Sequence, residues 1–414
     1  MIMNSTNNEI LPEGYRMTEL GALPEEWEVV RLGEVAEISS GGSAPQGDEY
    51  FKGDKPFIRV SHIDNEDYSI KRYDLINDKA IHDYKLTLFP KGTIVFPKSG
   101  ATVYLEKRAM LPIDAFVVSH LCAVRSNNEE ILQLFLFYIL RSLKLAKEKA
   151  DGYPTLNISE IKEILLPLPP LPEQKRIAAV LSAVQEAKEK TQAVIDATKG
   201  LKKSMMKHLF TYGPVPPEEA ENVPLKETEL GKVPEEWEVV KLGEVAEVNY
   251  GKANTKDKGN IPVVGSGGVY SSTKTPLVDY PTIVIGRKGT AGKAWLFVEP
   301  CYPSDTTFYL RWKKDIDLKF LYNYMVLNPL SGEHAKTTLP SLQKADLINY
   351  LIPLPPLPIQ QKIASILSAI DAKIEAEENK KKSLEDLFKT LLHNLMTAKI
   401  RVDKHRINLK ENEL

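Results

Sequence analysis

Two cysteines, Cys122 and Cys301, are all that a chain of 414 residues contains, and both sit in apolar stretches. A disulfide-stapled scaffold is therefore excluded, and buried, reduced thiols are expected. No apolar run approaches the roughly 20 residues that a bilayer-crossing helix needs. The polar stretch Met1–Glu9 lacks a signal-peptide core, so no membrane association is expected and the cytoplasm is the expected compartment. The seven histidines are scattered, and none shares metal-ligand spacing with a cysteine or a motif with a Ser or Cys nucleophile. There is no G-x-x-x-x-G-K-[ST] phosphate loop and no strand-bound G-x-G-x-x-G fingerprint. Val264-Gly265-Ser266-Gly267-Gly268 is glycine-rich but lacks the lysine and the following apolar helix, so it reads as a turn. The Asn/Asp-Pro-Pro-Tyr segment of an amino-methyltransferase is missing too; Asn328-Pro329-Leu330 does not qualify. The expectation is a non-catalytic binder that needs no cofactor and no metal.

What the chain does contain is repetition. T-E-L-G-x-x-P-E-E-W-E-V-V-x-L-G-E-V-A-E occurs at Thr18–Glu37 and again at Thr228–Glu247, 210 residues on. Pro167-Leu168-Pro169-Pro170-Leu171-Pro172 returns 186 residues on, as Pro353–Pro358. One module is therefore duplicated, in the order opening strand, variable body, proline strap, long helix. The second body is 24 residues shorter than the first. Similar frames around different contents point to two heads with one job and two targets.

Within each frame, Glu28–Leu32 predicts a strand and Leu32–Ile38 a helix turn or a second strand. Trp27 and Trp237 read as core anchors. In the bodies, strands are predicted at Lys55–Ile63, Gly92–Phe96, Ala115–Val118, Asn260–Val264, Thr282–Gly286 and Thr307–Arg311. Helices are predicted at Ile131–Lys149 and Leu318–Leu327, with a short one capped near Asn157 or Ser159. The straps Leu166–Pro172 and Ile352–Pro358 should be extended, semi-rigid spacers. Beyond them, Ile177, Val180, Val184, Ala187, Thr191, Val194, Thr198, Leu201 and Met205 form a heptad seam, matched by Ile363, Ile366, Ile370, Leu384, Leu387 and Leu391. Each helix spans about 38 residues, or about 57 Å.

The fold class is thus α+β, with two pseudo-symmetric globular domains, each a twisted β-sheet plus helices. Two long helices separate them and pair as an antiparallel coiled coil. Expected boundaries are 18–170, 171–212 for the first helix, 213–356, 357–400 for the second helix, and a polar tail at 401–414.

Net charge is −2, yet its distribution is uneven. Residues 1–38 carry eight acidic and two basic side chains, and residues 214–247 carry ten and three. In the bodies the sign reverses. Lys85, Lys91, Lys98, Lys107, Arg108 and Arg125 face two acids in 85–125, and seven basic residues face three acids in 250–300. Such local positive fields suit a polyanion reader; the alternative is a solvated lysine-rich surface.

The frame P-E-E-W-E-V-V-x-L-G-E-V-A-E, with P-L-P-P-L-P-E-Q-K-R-I-A at 167–178 and P-L-P-P-L-P-I-Q-Q-K-I-A at 353–364, resembles the specificity subunit of Type I restriction–modification systems. The resemblance covers residues 18–400. It implies that each body is a target recognition domain reading one half of a bipartite site in double-stranded DNA. It also implies that the helical rod sets the spacer, and that two modification (methyltransferase) subunits dock on straps and helices. Restriction (motor–nuclease) subunits then join, and catalysis resides in those partners. One departure is Ile359 where the first copy has Glu173, expected to remove a favourable charge at a helix N-terminus and little else. The alternative is a coiled-coil protein-interaction scaffold without DNA reading, which leaves two cationic heads without a purpose.

Base reading calls for Arg, Lys, Asn, Gln, Ser or Thr on loops, and phosphate clamping for Lys, Arg or backbone N–H groups. The first head offers Arg59, Ser61 and His62 at a strand end, with Lys98, Ser99, Thr102 and Tyr104 in the turn after Phe96-Pro97. The second offers Ser266 and Gly267, then Arg287, Lys288, Thr290 and Lys293 in a glycine hairpin with cationic arms.

Overall fold

The computed structural model describes residues 11–64, 69–127, 129–146, 155–253, 257–330 and 341–402. The chain divides into two compact units, residues 1–189 with 382–414, and residues 190–381. The expected tail at 401–414 lies almost wholly outside the described residues.

The first unit opens on a hairpin of β1 (Tyr15–Thr18) and β2 (Gly21–Pro24). Gly21 closes it at φ 97°, a left-handed value that would strain another residue. Then come β3 (Glu28–Arg31), one helical turn α1 (Leu32–Val35) and β4 (Ala36–Ser40). The stretch after Leu32 is therefore a helix turn followed by a strand. Arg31 N donates to Glu34 Oε2 at 2.8 Å, which ends β3 and starts the turn.

The body continues with β5 (Lys55–Ile58), β6 (Asp74–Ile76), α2 (Asp78–Tyr84), β7 (Leu88–Phe89), β8 (Ile94–Pro97), β9 (Ala109–Met110), β10 (Ala115–Val117) and β11 (Leu121–Ser126). These make two sheets, in the orders β4-β11-β8-β9 and β6-β5-β10-β7. The first is antiparallel; in the second, β5 and β10 run parallel. Successive residues of β8 and β11 serve different clusters. Ile94, Phe96, Cys122 and Val124 pack with α3 (Gln133–Ser142), whereas Val95, Leu121 and Ala123 pack with Phe57, Ile58 and Val117 of the second sheet. The central sheet is thus covered on both faces, which is why β8 is buried throughout.

The predicted helix to Lys149 ends early, at Ser142; residues 147–149 lie outside the described residues. Leu145 is drawn back into the core, and Ala146 N donates to Glu106 Oε1 at 2.7 Å instead of to a helical carbonyl. After α4 (Ile158–Lys162), begun by Asn157, the proline strap departs from expectation. Its first half is a strand, β12 (Leu165–Leu168), paired with β3 so that Leu166 faces Val30 and Pro167 faces Val29. A two-stranded ladder leaves the proline an outer edge, so no partner misses its N–H. The second half is already helix: α5 (Leu171–Tyr212) carries Pro172 in its first turn, where amide hydrogens have no intrahelical acceptor. The strap is a fastened joint rather than a spacer.

The second unit repeats the scheme. It contains β13 (Leu225–Thr228), β14 (Gly231–Pro234), β15 (Glu238–Lys241), α6 (Leu242–Val245), β16 (Ala246–Tyr250), β17 (Ile261–Gly265), β18 (Gly268–Thr273), β19 (Thr282–Gly286), β20 (Ala294–Phe297), β21 (Tyr302–Pro303) and β22 (Thr307–Trp312). Then follow α7 (Leu318–Leu327), as predicted, α8 (Lys344–Ile348), β23 (Leu351–Leu354) paired with β15, and α9 (Leu357–Met396). The large sheet, β16-β22-β19-β20, matches that of the first unit; the smaller, β18-β17-β21, has one strand fewer. No helix corresponding to α2 stands between β18 and β19 among the described residues, and the link from β17 to β18 is a two-residue turn where β5 and β6 are far apart in sequence; together these account for most of the shorter body.

Within each unit α5 and α9 run antiparallel. In the second, Lys202 Nζ meets Asp371 Oδ1 at 2.6 Å and Lys199 Nζ meets Glu378 Oε1 at 2.7 Å. In the first, the Tyr138 and Phe388 rings pack, and Lys188 Nζ lies 5.5 Å from the Phe388 ring. Half of the predicted seam faces inward, at Ile177, Val184, Thr191, Thr198 and Met205. Val180 also packs against the first core, but further along its line is displaced by one residue. Val194 and Leu201 are exposed (41% and 54%), while Leu181, Lys188, Ile195, Lys202 and Leu209 take that line. On α9, Leu367, Ile374, Lys381, Phe388 and Leu395 do the same, with Leu387 left exposed. Long lysine stems can cover apolar surface while their heads reach Asp371 or an aromatic face, so a seam position need not be an apolar letter.

Glu173 is also more than a helix-terminal charge. It is buried, accepts from Trp27 Nε1 at 3.0 Å, and receives two donors from Arg401, Nε at 2.6 Å and Nη2 at 2.8 Å. Its carboxylate, with Glu26, holds the Arg401 guanidinium charged above its ordinary pKa. In the second unit Ile359 and Val215 line one cavity with Trp237, an apolar pair where the first unit has an ionic one.

Both cysteines are buried, and burial pushes each thiol up to about 12. Neither is then a thiolate at neutral pH. A native sample at pH 8 is expected to leave both unreacted with a disulfide-exchange reagent and to titrate two thiols after unfolding. Reaction of one equivalent before unfolding would show that the core around that cysteine opens.

Candidate nucleic-acid interface

In both units the middle strand of the large sheet runs into the same turn with different residues in it. After β8, Lys98 N donates to His120 O at 2.9 Å, Leu156 N donates to Lys98 O at 2.7 Å, and Ser99 bridges to Thr155. After β19, Arg287 N donates to Thr306 O at 2.8 Å, Leu342 N donates to Arg287 O at 2.9 Å, and Lys288 bridges to Ser341. A cation thus occupies one fold position in both units: Lys98 in the first, Arg287 in the second. The end of β4 and of β16 arrives at the same place through Gly41 and Gly251, where a Cβ would strike the Val117 or Ser304 carbonyl. That close approach explains a glycine at both positions.

In the first unit, Ser99 Oγ and His120 Nδ1 lie 2.6 Å apart, and Thr102 Oγ1 donates to Ser99 O at 3.4 Å. Tyr104 is exposed. Lys98, Ser99, Thr102 and Tyr104 therefore form one turn, as the sequence suggests. Arg59, Ser61 and His62 sit beyond β5, whose last carbonyl, Ile58 O, accepts from Val118 N next to Ser119-His120. Their chemistry is partly committed. Arg59 Nε donates to Asp74 Oδ2, and its guanidinium lies 5.4 Å from the Phe51 ring centroid and 5.5 Å from that of Phe57. His62 Nδ1 accepts from Arg59 N, and burial holds its pKa below the ordinary imidazole value against the pull of Asp74. His62 contributes no charge at neutral pH, and Ser61 is the exposed member of the three.

Two residues counted toward the first positive field are withdrawn from it. Lys107 is buried with Nζ on Ile63 O at 2.8 Å, and Arg108 is buried over Phe96 and paired with Glu106. Their positive charge serves the core.

In the second unit, Ser266 and Gly267 are the two-residue turn between β17 and β18. That turn packs on the cationic hairpin. Ser266 N donates to Thr306 Oγ1 at 3.2 Å, and a Cβ on Gly289 would lie 3.5 Å from Ser266 Oγ. The hairpin closes through Gly286 N to Lys293 O at 2.8 Å, with Gly289 and Gly292 at φ 80° and 82°. Lys288, Thr290 and Lys293 are exposed, and Lys293 Nζ lies 5.3 Å from the Trp295 ring. Arg287 lies over Tyr250 at 5.4 Å and Phe308 at 6.0 Å.

Sequence reasoning missed His120, Thr306, Tyr250 and Lys344, which complete these two turns. A signal existed for Tyr250: it stands 210 residues after Ser40, three places past the end of the shared phrase. Lys344 arrives from a distant helix, and nothing local marked it. Among the described residues no group of His, Cys, Asp and Glu could hold a metal ion, and no helix is long and apolar enough to cross a membrane.

A family model described as the Type I restriction modification DNA specificity domain matches residues 24–197 and 234–386. The chain is 29% identical to the putative type I restriction enzyme MjaX specificity subunit of Methanocaldococcus jannaschii, over 94% of this chain and 97% of that protein. In fold it is similar to the crystal structure of the Type I restriction–modification S subunit from M. genitalium, with a TM-score of 0.60 and 18% identity over 89% and 96% of the two chains. A chain from a structural study of complex assembly and conformational transition in a type I system gives a TM-score of 0.56 and 23% identity, over 90% and 98%.

Proposed function

The chain belongs to the Type I restriction–modification DNA specificity family, whose members are non-catalytic recognition subunits, and from that premise we propose how its two units divide the work. Residues 18–170 and 213–356 act as target recognition domains, each reading one half of a bipartite site in double-stranded DNA. Helices 171–212 and 357–400 set the undefined gap between the halves.

The observation that carries this reading is the shared turn. The same backbone hydrogen bonds hold Lys98-Ser99 beside His120 in one unit and Arg287-Lys288 beside Thr306 in the other. A fixed scaffold with exchanged contents is what two readers of different short sequences require. Cations there attract the phosphate backbone, while hydroxyl and imidazole groups are the kinds that meet base edges.

The frame supplies the partners. The hairpin, the β3·β12 or β15·β23 ladder and the start of the long helix recur once per unit. A protein that docks on one copy finds a second, which gives two modification (methyltransferase) subunits per chain. Restriction (motor–nuclease) subunits join that assembly, and the compartment is the cytoplasm. The partners carry the methyl-transfer and cleavage chemistry.

Co-expression with the modification subunit, followed by mapping of methylated adenines in host DNA, tests the reading. A split motif with two defined halves around a constant gap is expected. A contiguous motif would overturn the two-reader assignment. A scaffold that never touches DNA would give a chain with no salt-dependent retention on duplex DNA.

A further inference from the structure

Three side chains from distant parts of the second unit meet at one place, and of them the functional reading above uses only Arg287. Tyr250, the last residue of β16, is 48% exposed. The Arg287 guanidinium lies 5.4 Å from its ring centroid, and Lys344 Nζ, from the first residue of α8, lies 5.9 Å from the same centroid. Two positive charges therefore converge on one aromatic ring.

Convergent cations need an explanation, because like charges repel in the absence of an anion. Five other cations of the chain have such an anion beside them. Arg31 pairs with Glu163, Arg59 with Asp74, Arg108 with Glu106, Arg401 with Glu173, and Lys202 with Asp371. Neither Arg287 nor Lys344 has a carboxylate within ion-pairing distance among the described residues. The nearest acid in sequence to Lys344, Asp346, instead accepts from Gln343 N at 2.8 Å. Arg287 Nε is buried without a hydrogen-bond partner. The ring face orients both cations electrostatically but neutralises neither.

We propose that Tyr250, Arg287 and Lys344 form a clamp for one backbone phosphate of duplex DNA, and that the first unit has no counterpart. This rests on the DNA-reading function and adds a site to it. An oxyanion seated between guanidinium and ammonium removes the repulsion and accepts charge-assisted hydrogen bonds from both. A base edge carries no net charge and would leave the two cations unneutralised. At the corresponding places the first unit has Ser40 for Tyr250, Lys98 for Arg287 and Ile158 for Lys344, so one cation remains and the platform is gone. The second unit thus supplies sequence-independent grip beyond its share.

The test uses the full chain bound to duplex DNA carrying the mapped motif, with affinity followed over a range of salt. Each phosphate contact contributes a slope of about −0.9 in log K against log salt. Arg287→Gln and Lys344→Gln are each expected to flatten the slope, and the double variant to flatten it by about 0.9 in all because both cations hold one phosphate, with the methylated motif unchanged. Tyr250→Leu is expected to weaken binding to every sequence alike, and Tyr250→Phe to retain it. An unaltered slope in Lys344→Gln, whose side chain makes no hydrogen bond among the described residues, would overturn the clamp. So would Arg287→Gln relaxing one base position, since that marks a base reader. If wild-type protein showed no salt-dependent binding at all, the DNA-reading function itself would fail, and the two failures are distinguishable.

Discussion

Lengthening α5 and α9 together by one heptad is expected to lengthen the undefined gap of the methylated motif and leave both half-sites unchanged. Seven residues add about 10 Å of helix, which spans about three base pairs at 3.4 Å each. A whole heptad is needed because Leu181, Lys188, Ile195, Lys202 and Leu209 recur every seven residues, as do Leu367, Ile374, Lys381, Phe388 and Leu395 on the partner helix. An insertion of another length would turn Lys202 away from Asp371 and Lys199 away from Glu378. The insertion belongs near Gly200 on α5 and opposite it on α9, away from both cores. Methylated adenines in cells carrying the lengthened subunit provide the readout. New half-site bases around an unchanged gap would refute the assignment of the gap to the helices.

Trp27→Ala is expected to carry a large stability cost in the first unit. Replacing a fully buried tryptophan by alanine typically costs about 3–5 kcal/mol through lost burial and the cavity left behind. Here the indole N–H also donates to Glu173, whose carboxylate would lose a partner while staying buried. Trp27→Phe separates the terms, since it keeps most of the apolar bulk and removes the donor, a loss of about 1–3 kcal/mol. Calorimetry should show one unfolding transition moving to lower temperature for Trp27→Ala and less far for Trp27→Phe. Unchanged transitions in both would mean that Trp27 does not anchor the unit.

Much of the frame was legible because its signals are local and duplicated. The tryptophans, the strand after them, the α7 boundaries and the two long helices follow from spacing and from a second copy that corroborates each. The errors came where distant residues decide. Pro167 reads as a spacer until β3 offers it a ladder edge. Val194 and Ile195 are equally good seam letters, and only the partner helix selects Ile195. Glu173 reads as a terminal charge because Arg401, which makes it a buried acceptor, stands 228 residues away. The site divides in the same way. Lys98-Ser99 and Arg287-Lys288 announce themselves after a strand and a turn. Lys344 and the neutralisation of Arg59 by Asp74 depend on which loops the fold brings together.

The Arg401–Glu173 contact also bears on the order in which the protein can be completed. Tyr15 donates to Ala398 O at 2.7 Å, and Arg401 reaches Glu26 and Glu173, so the first unit is closed by residues that lie on either side of the second in sequence. Its core includes Phe388, Leu395 and Met396. The second unit is one unbroken stretch, residues 190–381. As the chain leaves the ribosome, the later unit has all its parts first. The earlier one must hold its half-built core, Leu181 and Tyr138 included, until the final helix emerges to cover it.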